Sequence, residues 1–111
     1  MKWNIVVHPK AVPEVNGLPV DMRAKLTRLL ELIEQVGPFG LREPHLKSLG
    51  NKLMEIRLSG RQGISRVIYV VIAEKKVNLL HAFIKKTQKT PTLALECAMK
   101  RLKEMQDEKC Y

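Results

Sequence analysis

Three strand-like runs follow one another closely along the chain, and they constrain the fold more than any other feature. Each is rich in β-branched or alternating apolar residues, and only short turns separate them. Connections this short cannot hold a crossover, so neighbouring runs must pair antiparallel. We therefore predict an antiparallel three-strand meander built from residues 53–59, 64–72 and 77–84.

The first run shows which faces of this meander are polar. Apolar Ile56 alternates with Glu55 and Arg57, so the two charged residues lie on one face of the strand. The second run, ISRVIYVVI, is apolar on both faces apart from Arg66, which is typical of a central strand. Arg66 must then either pair with an acid such as Glu55 or open onto a functional cleft.

Helical patterns flank the meander. Residues 19–36 carry an apolar stripe with helical spacing, and Gly37 followed by Pro38 predicts its end. A second amphipathic helix is predicted after Pro91. Residues 10–17 fit one turn of helix or a loop, and residues 39–52 are predicted to be a loop.

The order of elements predicts the fold class. Residues 3–8 form a short N-terminal strand that stops at Pro9, and it is followed by helix, meander and helix. This order indicates an α+β fold with the helices packed on one face of the sheet. The length of 111 residues fits a single domain spanning 1–111.

The net charge of the chain indicates which class of partner the protein binds. Lys and Arg number 20 against 11 Asp and Glu, a formal net charge of +9. A small chain this basic favours a nucleic acid or nucleoprotein partner. We expect no secretory signal or membrane span, and the two cysteines lack metal-ligand spacing, so a cytoplasmic protein with reduced thiols is predicted.

Several cations can converge on one face of the meander. Arg57 and Arg66 lie on adjoining strands, and the last strand carries His81 and leads into Lys85, Lys86 and Lys89. Such a cluster would hold several phosphates.

It could also support RNA cleavage, because RNA supplies its own nucleophile, the 2′-hydroxyl. Positioning and charge stabilisation need only Arg and Lys, while Glu55, His81 or a lysine could be the general base or acid. We predict no metal and no cofactor, since no group of ligands has metal-binding spacing.

Two segments of the chain resemble a known protein family. The runs LMEIRLSGRQGISRVIYVV and LLHAFIKKTQKTPTLALECAMKRLKE are similar to the RelE/ParE superfamily, in particular its phage-related HigB-like branch. The resemblance implies a RelE-like fold and the toxin of a type II toxin–antitoxin system. It implies a hydrolase-class endoribonuclease (mRNA interferase) that cleaves mRNA in the ribosomal A site and inhibits translation.

The resemblance also implies partners and site residues. The partners would be a HigA-like helix-turn-helix antitoxin, the ribosome and mRNA, with operator DNA contacted only through the antitoxin and no membrane. Some relatives stack a tyrosine on a base, and Tyr69 or Phe83 could replace it here. The predicted catalytic residues are Glu55, Arg57, Arg66, His81, Lys85 and Lys86, and the predicted RNA-binding residues are Lys52, Arg61, Tyr69 and Lys89.

Two other functions remain open from the sequence. A ParE-like toxin that inhibits gyrase by protein binding would use the same fold, because a fold does not determine a function. A non-catalytic RNA- or DNA-binding module of this fold would bind with strong salt dependence and cut nothing.

Overall fold

A computed structural model describes residues 3–37, 46–50, 53–72, 75–85 and 91–108, with the backbone alone at 46–50 and 106–108. The element order is strand, two helices, four strands and a helix. The elements are β1 (Asn4–Val7), α1 (Ala11–Asn16), α2 (Val20–Val36), β2 (Leu46–Gly50), β3 (Leu53–Gly60), β4 (Gly63–Ile72), β5 (Lys76–Lys85) and α3 (Thr92–Glu108).

The strands form one five-stranded sheet in the order β1-β5-β4-β3-β2. The predicted meander is present as β3, β4 and β5, which pair antiparallel. β1 joins the edge of β5 in parallel. The α+β class and the meander are confirmed, and residues 10–17, left open between helix and loop, contain the short helix α1.

One strand was missed. Residues 46–50, within the predicted loop, form β2 and pair antiparallel with β3. The segment LKSLG contains no β-branched residue and ends in glycine, so its local propensity for a strand is weak. The strand exists because β3 offers it a row of backbone partners, which is a tertiary cause.

The helices lie on both faces of the sheet, which corrects the prediction that they pack on one face. Met22, Leu26 and Ile33 of α2 pack against one face, together with the even-numbered residues of β3 such as Ile56. Ala94, Ala98 and Leu102 of α3 pack against the opposite face in a second cluster. Both faces of β4 are apolar because both are covered: Val67 contacts the first cluster and Ile68 the second.

The C-terminal end of α2 is set by a local signal, and its N-terminal end contacts a turn of the sheet. Gly37 follows the helix at φ 84°, a conformation that glycine adopts without steric cost, and its N–H donates to the carbonyl of Ile33. At the other end, Asp21 accepts the Arg61 N–H from the β3–β4 turn at 2.9 Å. A Cβ atom on Gly60 would meet the Asp21 carboxylate at 2.3 Å, so glycine lets this turn approach the helix.

Candidate nucleic-acid interface

Among the described residues, α3 packs on one part of its face of the sheet, and the arginines lie on the same face outside that contact. The register sets Arg57, Arg66 and Phe83 directly opposite one another on β3, β4 and β5. Residues opposite each other in a sheet project to the same face, so these three side chains form a row across the meander. Glu55 lies two residues before Arg57 and therefore on the same face.

Glu55 is the centre of this arrangement. It is only 1% exposed, and its Oε1 lies 3.5 Å from Arg57 Nε and 3.5 Å from Arg66 Nε. A buried carboxylate requires such compensation, because an isolated charge in the interior is strongly unfavourable. We call Glu55, Arg57 and Arg66 the cationic cluster, since two guanidinium groups share one carboxylate.

Arg66 makes a hydrogen bond through one nitrogen of its guanidinium group and leaves another N–H without a partner. Its Nη1 donates to the Ser65 carbonyl at 2.9 Å, whereas its Nε–H, though near Glu55, has no hydrogen-bond partner. Burial is the main cause that lowers the pKa of Arg66, Arg57 adds to it, and Glu55 opposes it. The structure shows the first alternative for Arg66, since it pairs with Glu55; 11% of its side chain is accessible, and a functional cleft at this position stays a prediction.

The other predicted cations are placed around this cluster. Lys85 lies two residues beyond Phe83, on the same face at the end of β5, and is buried. Arg61 lies in the exposed β3–β4 turn. Three further predicted residues, Lys52, Lys86 and Lys89, lie outside the described residues.

His81 belongs to a different group at the edge of the sheet. Its Nδ1 lies 2.9 Å from Glu14 Oε1, and Arg101 donates to both oxygens of Glu14 at 2.7 and 3.0 Å. We call Glu14, His81 and Arg101 the edge cluster. Its catalytic role stays a prediction, but these contacts to α1 and α3 favour a structural one.

The edge cluster also caps the backbone of β5. β1 pairs with β5 only as far as Leu79, and beyond it Glu14 accepts the Ala82 N–H while Arg101 donates to the Leu80 carbonyl. Burial alone would raise the pKa of Glu14, but hydrogen bonds from Arg101, His81 and Ala82 outweigh it and lower that pKa. Sequence reasoning missed Glu14 and Arg101, which are 87 residues apart and show no common pattern.

Tyr69 requires a correction. It is fully buried in the core beneath α2, on the face opposite the cationic cluster. Burial raises its pKa to about 12. An RNA base cannot reach this ring while the core is intact. Phe83 is the aromatic residue on the correct face, where it is half-buried and stacks on His81 with ring centroids 5.1 Å apart.

Two other kinds of feature are absent from the described part of the chain. It contains no group of three or more His, Cys, Asp or Glu side chains able to hold a metal ion. No helix there is long and apolar enough to cross a membrane.

Comparisons with known proteins identify solved structures that have a similar fold. No curated protein matched the sequence significantly. The structure is similar to a mutant of E. coli toxin RelE in the free state, with a TM-score of 0.63 and 18% identity over 92% of this chain and 99% of that one. It is also similar to a chain of the archaeal RelE–RelB complex from Pyrococcus horikoshii OT3, with a TM-score of 0.54 and 22% identity over 76% and 96% of the two chains.

The sequence match extends over most of the chain. Residues 13–103 match the family model described as phage derived protein Gp49-like (DUF891). The predicted RelE-like fold is thus confirmed. The chain belongs to the phage-derived Gp49-like family and has the RelE fold.

Proposed function

We propose that this protein is the toxin of a type II toxin–antitoxin system, a ribosome-dependent endoribonuclease that cleaves mRNA without a metal and so inhibits translation. The observation that carries the proposal is the cationic cluster. Arg57 and Arg66 lie on one face of the sheet and share one carboxylate, and 29% of the Arg57 side chain is exposed. The RelE fold supports the same assignment.

The cluster suits the charge that develops during RNA cleavage. Attack of the 2′-oxygen forms a bond to phosphorus and breaks the bond to the 5′-oxygen, giving a 2′,3′-cyclic phosphate and a 5′-hydroxyl. A base accepts the 2′ proton and an acid supplies a proton to the leaving oxygen. Arg66 and Arg57 would stabilise the additional charge on the non-bridging oxygens, the largest contribution in reactions of this kind.

The remaining residues take supporting roles. Glu55 is buried and lies 3.5 Å from the Nε atoms of both arginines, so we propose that it positions them. Lys85 lies on the same face and is our candidate for the proton donor. Phe83 would stack on a base of the substrate, because every base presents an aromatic face.

An antitoxin would restrain this surface. One solved structure with the same fold is a RelE–RelB complex, and the surplus of nine positive charges favours an acidic partner. We propose a HigA-like helix-turn-helix protein in this role, and a cytoplasmic setting where ribosomes are present.

The decisive experiment is brief induction of Arg66→Ala in bacteria, followed by primer extension on abundant transcripts. The unaltered protein should stop growth and leave new 5′ ends in translated mRNA, and Arg66→Ala should do neither while remaining folded by circular dichroism. Lys100→Ala, which removes an exposed cation from α3, is the matched control and should cleave normally.

Two outcomes would contradict the proposal. Cleavage by Arg66→Ala equal to that of the control would remove the cationic cluster from the mechanism. Growth arrest with intact transcripts and inhibited gyrase would instead identify a ParE-like toxin.

A further inference from the structure

A groove of about 300 Å³ lies between α2 and β3. Its described lining combines three cations with an apolar floor. The lining residues are Lys25, Arg28, Leu29, Arg57, Leu58 and Ser59.

We propose that this groove is a second phosphate-binding subsite, which holds the backbone of the same RNA strand next to the phosphate bound by the cationic cluster. The inference rests on the proposed function, because it takes the strand at the cluster to be the substrate. It assigns a binding role to Lys25 and Arg28, which the amphipathic pattern of α2 alone leaves on a solvated face.

Arg57 connects the two places. Its Nε donates to Glu55 in the cationic cluster, and Arg57 is also one of the residues that line the groove. With 29% of its side chain exposed, Arg57 is the most accessible member of the cluster. The described part of β2 pairs with β3 only as far as Ile56, so a strand bound at Arg66 would meet Arg57 next and pass around this edge of β3 to the two cations of α2.

The described lining includes no carboxylate. Two acids lie close to the lining residues and are already engaged: Glu55 contacts Arg57 and Arg66, and the Asp21 carboxylate accepts the backbone N–H groups of Arg61 and Met22. Lys25 donates to the Ser59 carbonyl, which holds its ammonium group at the edge of β3. A phosphodiester would find preplaced positive charge here, with Leu29 and Leu58 offering apolar contact to the sugar.

The test uses RNA made non-cleavable by 2′-O-methylation, in a short form of about 4 nucleotides and a long form of about 12, near the site sizes of single-strand binders. The groove variant is Lys25→Gln with Arg28→Gln. The control, Lys100→Gln with Lys103→Gln, removes the same charge from the exposed face of α3. Affinity is measured by fluorescence anisotropy between about 50 and 200 mM salt, where phosphate contacts change affinity most clearly.

We expect the groove variant to bind the long RNA about tenfold more weakly than the control, with a salt slope smaller by about 1 to 2, one for each lost phosphate contact. Its affinity for the short RNA should equal that of the control. Equal losses for both lengths, or no loss beyond the control, would overturn the subsite. A normal affinity for the long RNA combined with weaker cleavage on ribosomes would overturn it in favour of a ribosomal RNA contact.

The two proposals can fail separately. If the groove variant loses the long RNA as expected but the unaltered protein cuts no mRNA in cells, the subsite stands and the nuclease assignment falls. If the unaltered protein cuts mRNA and the groove variant binds RNA as well as its control, the nuclease assignment stands and the subsite falls.

Discussion

The edge cluster and the cationic cluster each contain one glutamate and at least one arginine, but the distances between these groups differ. In the edge cluster Arg101 contacts Glu14 through two hydrogen bonds of 2.7 and 3.0 Å, and Glu14 also accepts a backbone N–H. In the cationic cluster Glu55 Oε1 lies 3.5 Å from the Nε atom of Arg57 and 3.5 Å from that of Arg66. The Nε–H of Arg66 lacks a hydrogen-bond partner.

The pKa shifts of the arginines reflect this difference. The hydrogen bond to Glu14 raises the pKa of Arg101, whereas burial lowers that of Arg66. A satisfied cluster stabilises the fold, because its charges have their partners already. A cluster that holds two arginines against one glutamate, with Arg57 partly exposed, is suited to bind an anion. The comparison therefore supports a structural role for the edge cluster and the proposed functional role for the cationic cluster.

The largest expected effect separates the two arginines. Arg66→Gln should lower mRNA cleavage by at least about 10²-fold, the usual result of removing one donor that stabilises transition-state charge. Arg101→Gln should leave the cleavage rate of the folded protein within about threefold while lowering the free energy of unfolding by about 2 kcal/mol, since charged hydrogen bonds contribute about 1.5–3. Urea denaturation and single-turnover cleavage measure both, and a reversed pattern would invalidate the comparison.

The next effect concerns the buried carboxylate of the cationic cluster. Glu55→Gln removes the negative charge between two arginines, so we expect the free energy of unfolding to fall by about 3 kcal/mol, as when one partner of a buried ion pair is lost. RNA affinity should rise, because the surplus positive charge increases. Weaker binding of non-cleavable RNA by the folded variant would mean that Glu55 contacts the substrate favourably.

A smaller effect should appear with pH. Because the folded state lowers the pKa of Glu14 below its ordinary value of 4.5, this group stabilises the protein above that pH and the stabilisation is lost as pH falls through the folded pKa. The gap in unfolding free energy between the unaltered protein and Glu14→Gln should therefore be largest near neutrality and shrink below about pH 4.5. Urea titrations at several pH values measure it, and a constant gap would show that Glu14 acts through packing alone.

The smallest effect tests the correction at Tyr69. Its hydroxyl is buried without a hydrogen-bond partner, so Tyr69→Phe should change the free energy of unfolding by less than about 1 kcal/mol. RNA affinity should not change, because the ring lies beneath α2. A loss of RNA binding in this variant, with stability intact, would reinstate Tyr69 as a contact residue.

The local pattern predicted much of the fold and part of the candidate site. The alternation in residues 53–59 placed Glu55 and Arg57 on one face, and short turns predicted the antiparallel pairing that brings Arg66 beside them. These features can be predicted because the side chains of a strand alternate between its two faces, which depends only on the spacing of neighbouring residues. The end of α2 at Gly37 is local for the same reason.

The sequence by itself thus determined the meander, the polarity of its faces and the approach of Arg57 to Arg66. Only the tertiary structure decided that α3 lies opposite α2, that residues 46–50 pair as a strand, and that Glu14 meets Arg101 from 87 residues away. An amphipathic helix shows that it has an apolar side, but either face of an apolar sheet can receive it. That choice depends on packing between distant segments, and it places α3 on the same face of the sheet as the cationic cluster.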